Sequence, residues 1–126
     1  MNLNLDTIIL FVHNIENLKP FYLDGLGLDV KEEQSDQWLL LDAGDCRIGL
    51  HKIGPQYLNK ENPTAKVDNN TKLSFEIFED IHAFREKLIS MNISMREVKT
   101  FEQYKYWFCD GEDPEGNVFQ LRQRKP

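Results

Sequence analysis

The stretch that decides the fold of this chain is Asp113-Pro114-Glu115-Gly116-Asn117-Val118-Phe119-Gln120-Leu121. The pattern Asp-Pro-x-Gly is typical of a type I turn, with Asp at the first corner, Pro at the second and Gly at the fourth. Apolar and polar residues alternate after Asn117, which predicts a strand. The chain is therefore expected to end in a tight turn that leads into a last strand.

Upstream of this turn, the order strand, helix, strand, strand, strand occurs twice. In the first half the helix is predicted over 14–24, and the strands over 5–12, 28–33, 37–42 and 46–53. Pro20 lies inside this helix and predicts that it is short or kinked. In the second half the helix is capped by Glu79 or Asp80, and the strands are predicted over 71–78, 94–99, 104–110 and 117–123.

The two halves predict a duplicated βαβββ unit. Thr7 and Lys72 occupy equivalent places, 65 residues apart (72 minus 7). Two modules, about 1–54 and 71–126, are joined by a polar loop over 55–70 with two prolines. Because the helices lie on one face of mainly antiparallel sheets, the fold class is α+β, in one domain that spans 1–126.

Composition excludes several classes of function. The chain of 126 residues is 40% hydrophobic and 29% charged, which is ordinary for a globular domain. Its net charge of −6 disfavours binding to nucleic acid or anionic lipid. It has no apolar run long enough to cross a membrane and no pattern typical of a secretory signal, so the cytoplasm is the expected location. Cys46 and Cys109 are then expected to be reduced core residues rather than a disulfide.

Two further motifs complete a family resemblance. They are Phe21-Tyr22-Leu23-Asp24-Gly25-Leu26-Gly27-Leu28 and Leu73-Ser74-Phe75-Glu76-Ile77. Together with the Asp-Pro-x-Gly-Asn turn, they resemble the vicinal oxygen chelate superfamily of glyoxalase I, extradiol dioxygenases, and fosfomycin- and bleomycin-resistance proteins. The resemblance implies two modules that form a cupped mixed sheet around a ligand cleft, with the helices outside. It also implies a homodimer, either domain-swapped or side by side.

The resemblance also indicates where metal ligands would lie. Metal-dependent members carry four of them, and the matching positions here are Thr7, His51, Lys72 and Gln120. Only His51 is a normal ligand, and the ammonium of Lys72 has no lone pair and would repel the ion. We therefore expect no metal cofactor. His51 is then either a hydrogen-bonded surface residue or a group that contacts ligand or acts as an acid–base catalyst.

Strand alternation extends the expected cleft face. The residues with the same parity are Thr7, Ile9, Phe11, Arg47, Gly49, His51, Lys72, Ser74, Glu76, Val118, Gln120 and Arg122. The residues with the opposite parity, expected under the helices, are Ile8, Leu10, Ile48, Leu50, Leu73, Phe75, Phe119 and Leu121. The second set is uniformly apolar, as a sheet packed under helices requires.

The first set carries four basic groups, Arg47, His51, Lys72 and Arg122, against one acid, Glu76. It therefore suits a polar or anionic small molecule, with Trp38 or Trp107 as an apolar wall. In the alternative interpretation, Glu76 pairs with an arginine on a neighbouring strand and the other cations reach solvent.

Three functions follow from these patterns. The first is metal-free binding or sequestration of a small molecule, as in bleomycin-resistance proteins. The second is a superfamily enzyme of the lyase or transferase type with an altered or absent metal site, in which His51 would act with Glu76 or Tyr106. The third is a regulatory or interaction subunit. The aromatic run 104–108 favours a core strand, with a dimer interface as the alternative.

Overall fold

The computed structural model describes residues 5–67 and 71–126. The chain divides into two compact units, Met1–Val67 and Asp68–Pro126. Residues 68–70, the end of the predicted loop, lie outside the described residues. No helix in the described ranges is long and apolar enough to cross a membrane.

The first unit contains one helical segment and a four-stranded sheet. The helical segment begins as α1, Ile15–Lys19, and continues as a π-helix over Pro20–Gly25. The strands are β1 Thr7–Val12, β2 Asp29–Gln34, β3 Trp38–Asp42 and β4 Arg47–Lys52. They lie in the order β1-β4-β3-β2, with β1 parallel to β4 and the other pairs antiparallel. A 3₁₀ turn, Pro55–Tyr57, follows β4.

The helical segment has clear local causes. Asn14 has an extended backbone and its side chain accepts a hydrogen bond from the Asn17 N–H, so it caps the first turn. The switch to π-helix begins at Pro20, which has no N–H to donate to an α-helical hydrogen bond. The predicted irregularity of this helix is thus confirmed, and its α-helical part has only 5 residues.

The second unit repeats this plan. It consists of β5 Leu73–Glu76, α2 Ile81–Ser90, β6 Ser94–Met95, β7 Tyr106–Glu112 and β8 Val118–Arg124. Its strand order is β5-β8-β7-β6, again with the first pair parallel. Of the two predicted caps, Asp80 is the one that holds α2, because its carboxylate accepts from the His82 N–H. The α+β class and the two βαβββ modules are confirmed.

The Asp-Pro-x-Gly turn closes the β7–β8 hairpin. The Gly116 N–H donates to the Asp113 carbonyl at 2.8 Å, as the type I turn predicts. The Asp113 side chain is buried, and its Oδ1 accepts from the N–H groups of Glu115 and Asn117, each at 2.9 Å. Its Oδ2 accepts from the Asn117 side-chain amide at 2.9 Å. This carboxylate therefore fixes the hairpin and with it the register of β8.

The core of each unit lies between its sheet and its helix. The buried apolar residues of the first unit include Leu10, Val12, Ile15, Leu18, Phe21, Tyr22, Leu39, Leu41, Ile48 and Leu50. Those of the second unit include Leu73, Ile77, Ile81, Leu88, Ile93, Phe119 and Leu121. The predicted helix-side residues are buried as expected, except that Ile8 and Phe75 are half-buried. Both cysteines are free thiols; Cys109 is a core residue, and Cys46 is only half-buried, which corrects its assignment to the core.

Candidate binding surfaces

Each sheet has a second face that its own helix does not cover, here called its open face. In the first unit, Thr7, Ile9 and Phe11 on β1 alternate with the core residues Leu10 and Val12. Phe11 is 50% exposed although it is a large apolar side chain. Arg47 and His51 on β4 lie opposite Thr7 and Phe11 in the parallel ladder. The predicted residues of the first half therefore share one face.

The open face of the first unit carries an aromatic row across three strands. His51 on β4 lies between Phe11 on β1, at 5.6 Å between ring centroids, and Trp38 on β3, at 5.9 Å. The indole of Trp38 crosses Gly49, where a Cβ atom would lie 2.8 Å from an indole carbon. Glycine is thus required under this ring. The Trp38 Nε1–H donates to Glu32 at 3.1 Å, which fixes the indole from its other edge.

His51 is held by the backbone. Its Nδ1 lies 2.8 Å from the carbonyl oxygen of Lys52. Because a carbonyl only accepts, Nδ1 carries the proton of this hydrogen bond, and Nε2 of the neutral ring is left as an acceptor. The histidine can therefore accept a proton or a hydrogen bond from a ligand placed over the row.

Arg47 is not a free cation on this face. Its guanidinium is ion-paired with Asp6 at 2.7 Å. The Thr7 hydroxyl donates to the other oxygen of the same carboxylate, also at 2.7 Å. Asp6 thus neutralises Arg47 and occupies the Thr7 hydroxyl proton, which removes one predicted source of positive charge.

A hydrogen-bonded network occupies one part of the open face of the second unit. The Lys72 ammonium contacts Oδ2 of Asp110 at 3.2 Å, and the Gln120 amide donates to Oδ1 at 3.1 Å. The Ser74 hydroxyl donates to the Gln120 carbonyl oxygen at 3.1 Å. We call these four residues the Lys72 network. Two predicted metal-ligand positions, Lys72 and Gln120, thus both bind Asp110.

A metal ion does not fit the predicted positions. Among residues 5–67 and 71–126, no group of three or more His, Cys, Asp or Glu side chains could hold one. Since His51 pairs with Phe11, it is four residues from Thr7 along the parallel strands, or about 13 Å. At that separation along the ladder, the Thr7 and His51 positions do not point to one shared ion. The ammonium of Lys72 adds a positive charge where a cation would need ligands.

An aromatic and guanidinium cluster occupies the other part of this face. Its members are Phe101, Tyr104, Tyr106, Phe108, Arg122 and Arg124. We call it the Arg122 cluster. Phe101 and Tyr104 are 62% and 39% exposed, so these rings form a surface. The prediction that the whole aromatic run 104–108 is a core strand is therefore wrong. Tyr104 and Lys105 are exposed and precede β7, and the other three residues are only half-buried.

Arg122 stacks on Tyr106, with its guanidinium carbon 3.9 Å from the ring centroid. Its Nε atom is buried and has no hydrogen-bond partner among residues 5–67 and 71–126. The Arg124 guanidinium lies 5.7 Å from the same centroid and donates to the Tyr106 hydroxyl at 3.5 Å. Two cations therefore converge on one ring.

Glu76 is the predicted acid near these cations. Its Cα is the ladder partner of Arg122, and its side chain is exposed. None of the ion pairs found among the described residues includes Glu76; the acids that pair with face cations are Asp6 and Asp110. Pairing of the face cations is thus real for Arg47 and Lys72, but Glu76 is not the acid that provides it.

Trp107 lies on the opposite face, which corrects its predicted place in the apolar wall. Its ladder partner is Gln123, whose side chain accepts from the N–H of Ile81 in α2. The next residue of the same parity, Cys109, is fully buried. Trp107 is therefore on the helix side, and Trp38 is the tryptophan of an open face. The acid–base candidates His51 and Glu76 belong to different units, and their catalytic role stays a prediction.

Sequence reasoning missed Asp110, Arg124, Phe101 and Tyr104, although a signal for the first two was present. The turn 113–117 is centred on Glu115, and residues at equal distances from Glu115 pair across the hairpin. Glu112 pairs with Val118, Asp110 with Gln120, and Tyr106 with Arg124. Counting outward from the turn thus identifies the partners of Gln120 and Tyr106. Phe101 and Tyr104 precede β7, where no comparable count applies.

No family model and no curated protein matches this sequence. Solved structures do match over nearly the whole chain. TnmS3, an antibiotic binding protein from Streptomyces sp. CB03234, has 19% identity, a TM-score of 0.76 and coverage of 98% of both chains. A glyoxalase/bleomycin resistance protein from the same strain has 20% identity, a TM-score of 0.70 and coverage of 95% of this chain and 100% of its own.

A lactoylglutathione lyase from Agrobacterium tumefaciens has 13% identity, a TM-score of 0.67 and coverage of 97% of this chain and 94% of its own. At these identities the likeness shows the fold alone. The fold is that of the glyoxalase and bleomycin-resistance proteins, so the fold that the resemblance implied is confirmed.

Proposed function

We propose that this protein binds or sequesters a planar, anionic small molecule without a metal ion of its own, and that the Arg122 cluster is its anion-binding site. The observation that carries the proposal is the stacked Arg122, beside exposed aromatic rings; within the described part of the chain its Nε has no hydrogen-bond partner. A guanidinium offers five N–H donors in a planar fork that matches a carboxylate.

The balance of charge on each open face favours Arg122 over the other predicted cations. Arg47 is neutralised by Asp6, and Lys72 by Asp110. Arg122 and Arg124 lie together over one ring, and Glu76 is the nearest acid on the neighbouring strand. The local charge here is positive although the chain carries −6 overall. Since salt screens charges beyond about 8–10 Å, the local charge decides what binds in contact.

The exposed rings define the rest of the ligand. Phe101 contacts Tyr104 and Phe108 at centroid distances of 5.8 and 5.7 Å, and Tyr104 lies 6.0 Å from Tyr106. Such rings favour a flat partner that stacks against them. The fold likeness to TnmS3, an antibiotic binding protein, supports binding as the function. The location in the cytoplasm and the homodimer stay predictions.

Isothermal titration calorimetry with three matched probes tests the proposal. Naphthoate, naphthamide and naphthylmethylamine share a flat ring and carry a negative, neutral or positive group. We expect naphthoate to bind most tightly and its affinity to fall with added salt. Arg122→Met should weaken naphthoate by about 1.5–3 kcal/mol, or roughly 10- to 150-fold, the range for a hydrogen bond to a charged group.

Two control variants separate charge from stacking. Arg122→Lys keeps the charge but loses the planar fork, so most of the affinity should be lost with it. Lys87→Met removes one positive charge from α2 of the same unit and should leave the affinity unchanged. Equal binding of all three probes, or a wild-type preference for naphthylmethylamine, contradicts an anion site.

A further inference from the structure

The Lys72 network is a closed set of polar partners. Both oxygens of Asp110 are used, one by the Lys72 ammonium and one by the Gln120 amide. Gln120 is used at both ends, because its carbonyl oxygen accepts from Ser74. The amide orientation follows from these partners. Gln120 thus presents a donor, not an oxygen, to Asp110.

We infer that the Lys72 ammonium is a built-in substitute for a divalent cation and keeps metal ions off this face. A metal bound to Asp110 would have to displace the ammonium and rotate Gln120 away from both of its partners. An ammonium also differs from a metal in what it offers, because it donates hydrogen bonds and has no coordination sites. At the place where the family resemblance implies a metal ion, this protein therefore carries the Lys72 ammonium. Asp110 fixes the position of that ammonium.

The Lys72 ammonium can also donate hydrogen bonds to a ligand. Lys72 has three N–H donors, and its side chain is 46% exposed. Donors not used by Asp110 are available to an oxygen atom of a ligand. The network is centred on Gln120, which pairs with Ser74 and Asp110. Gln120 is two residues along β8 from Arg122, or about 7 Å. It is thus distinct from the Arg122 cluster, and the inference does not depend on the proposed function.

Replacing Lys72 and Gln120 with metal-binding side chains should create a metal site on this face. In the double variant K72H/Q120E, an imidazole and a second carboxylate join Asp110 on one face, which are normal ligands for zinc. After dialysis against zinc sulfate and then buffer, elemental analysis should find one zinc ion per chain in this variant and only a trace in the wild type. K52H is the matched control, because Lys52 is ion-paired with Asp36 at the same distance of 3.2 Å and is similarly exposed.

The outcomes are decisive in both directions. A zinc ion in each wild-type chain overturns the inference, and so does a folded double variant that holds no more zinc than K52H. Because the double variant can fail to fold, Lys72→Ala provides a second measurement. Manganese chloride should broaden the amide NMR signals around Asp110 in Lys72→Ala but not in the wild type. Equal broadening, or none in either protein, overturns the inference as well.

Discussion

Asp113→Ala should destabilise the protein much more than a substitution at an exposed turn residue, because the Asp113 side chain is buried. The substitution removes the carboxylate that accepts three hydrogen bonds at 2.9 Å, two of them from backbone N–H groups. Each buried N–H left without a partner costs about 1–3 kcal/mol, and bonds to a charged acceptor are at the strong end of the range. We therefore expect a loss of about 3–4 kcal/mol, out of a total of roughly 5–15 kcal/mol for a domain.

Urea denaturation followed by tryptophan fluorescence measures this loss. With an m-value of about 2 kcal/mol per molar, the midpoint should fall by roughly 1.5–2 M. The melting temperature should fall by roughly 11–15 °C, because the unfolding entropy is about 2.1 cal/mol/K per residue. Asp45→Ala is the control, since Asp45 is an exposed turn residue, and it should stay within about 0.5 kcal/mol of the wild type.

The Asp113–Asn117 pair offers a sharper check. D113N and N117D each place two like groups against one another, two amides or two carboxylates. The double variant D113N/N117D restores one amide opposite one carboxylate, so its loss should be smaller than the sum of the single losses. A loss below about 1 kcal/mol for Asp113→Ala, or strict additivity in the double variant, would refute the view that this carboxylate holds the hairpin.

Two further predictions concern titratable groups. Burial raises the pKa of the Cys109 thiol, and its side chain is fully buried, so a thiol reagent should modify the half-buried Cys46 first and reach Cys109 only on unfolding; equal rates would contradict this. The hydrogen bond from Gln37, and next that from Lys52, lower the pKa of Asp36 below 3.8. A carboxylate whose pKa is lower in the folded than in the unfolded protein stabilises the fold at pH values above its unfolded-state pKa. This stabilisation is lost as the pH falls through the folded-state pKa. Asp36→Asn should therefore reduce stability at neutral pH. Denaturation profiles of the variant and wild type should converge at acid pH, and a gap that persists there would contradict the assignment.

The sequence by itself determined the fold and most of the face assignment. The Asp-Pro-x-Gly turn, the repeated order of elements and the strict apolar parity of the helix-side residues are local signals, and they were enough to predict two βαβββ modules. Alternation along a strand has a period of two, so it separates faces without knowledge of partners. For this reason Phe11, His51, Gln120 and Arg122 were predicted on open faces, where the structure places them.

Tertiary structure decided the charges on those faces. Four basic groups appeared concentrated in the sequence, but Asp6 neutralises Arg47 and Asp110 neutralises Lys72. These partners are 41 and 38 residues away along the chain, and only the strand register brings them into contact. The same register moved Trp107 to the helix side. A one-residue difference in pairing reverses the face of every side chain in a strand, so a composition of charges does not define a site until the ladder is known.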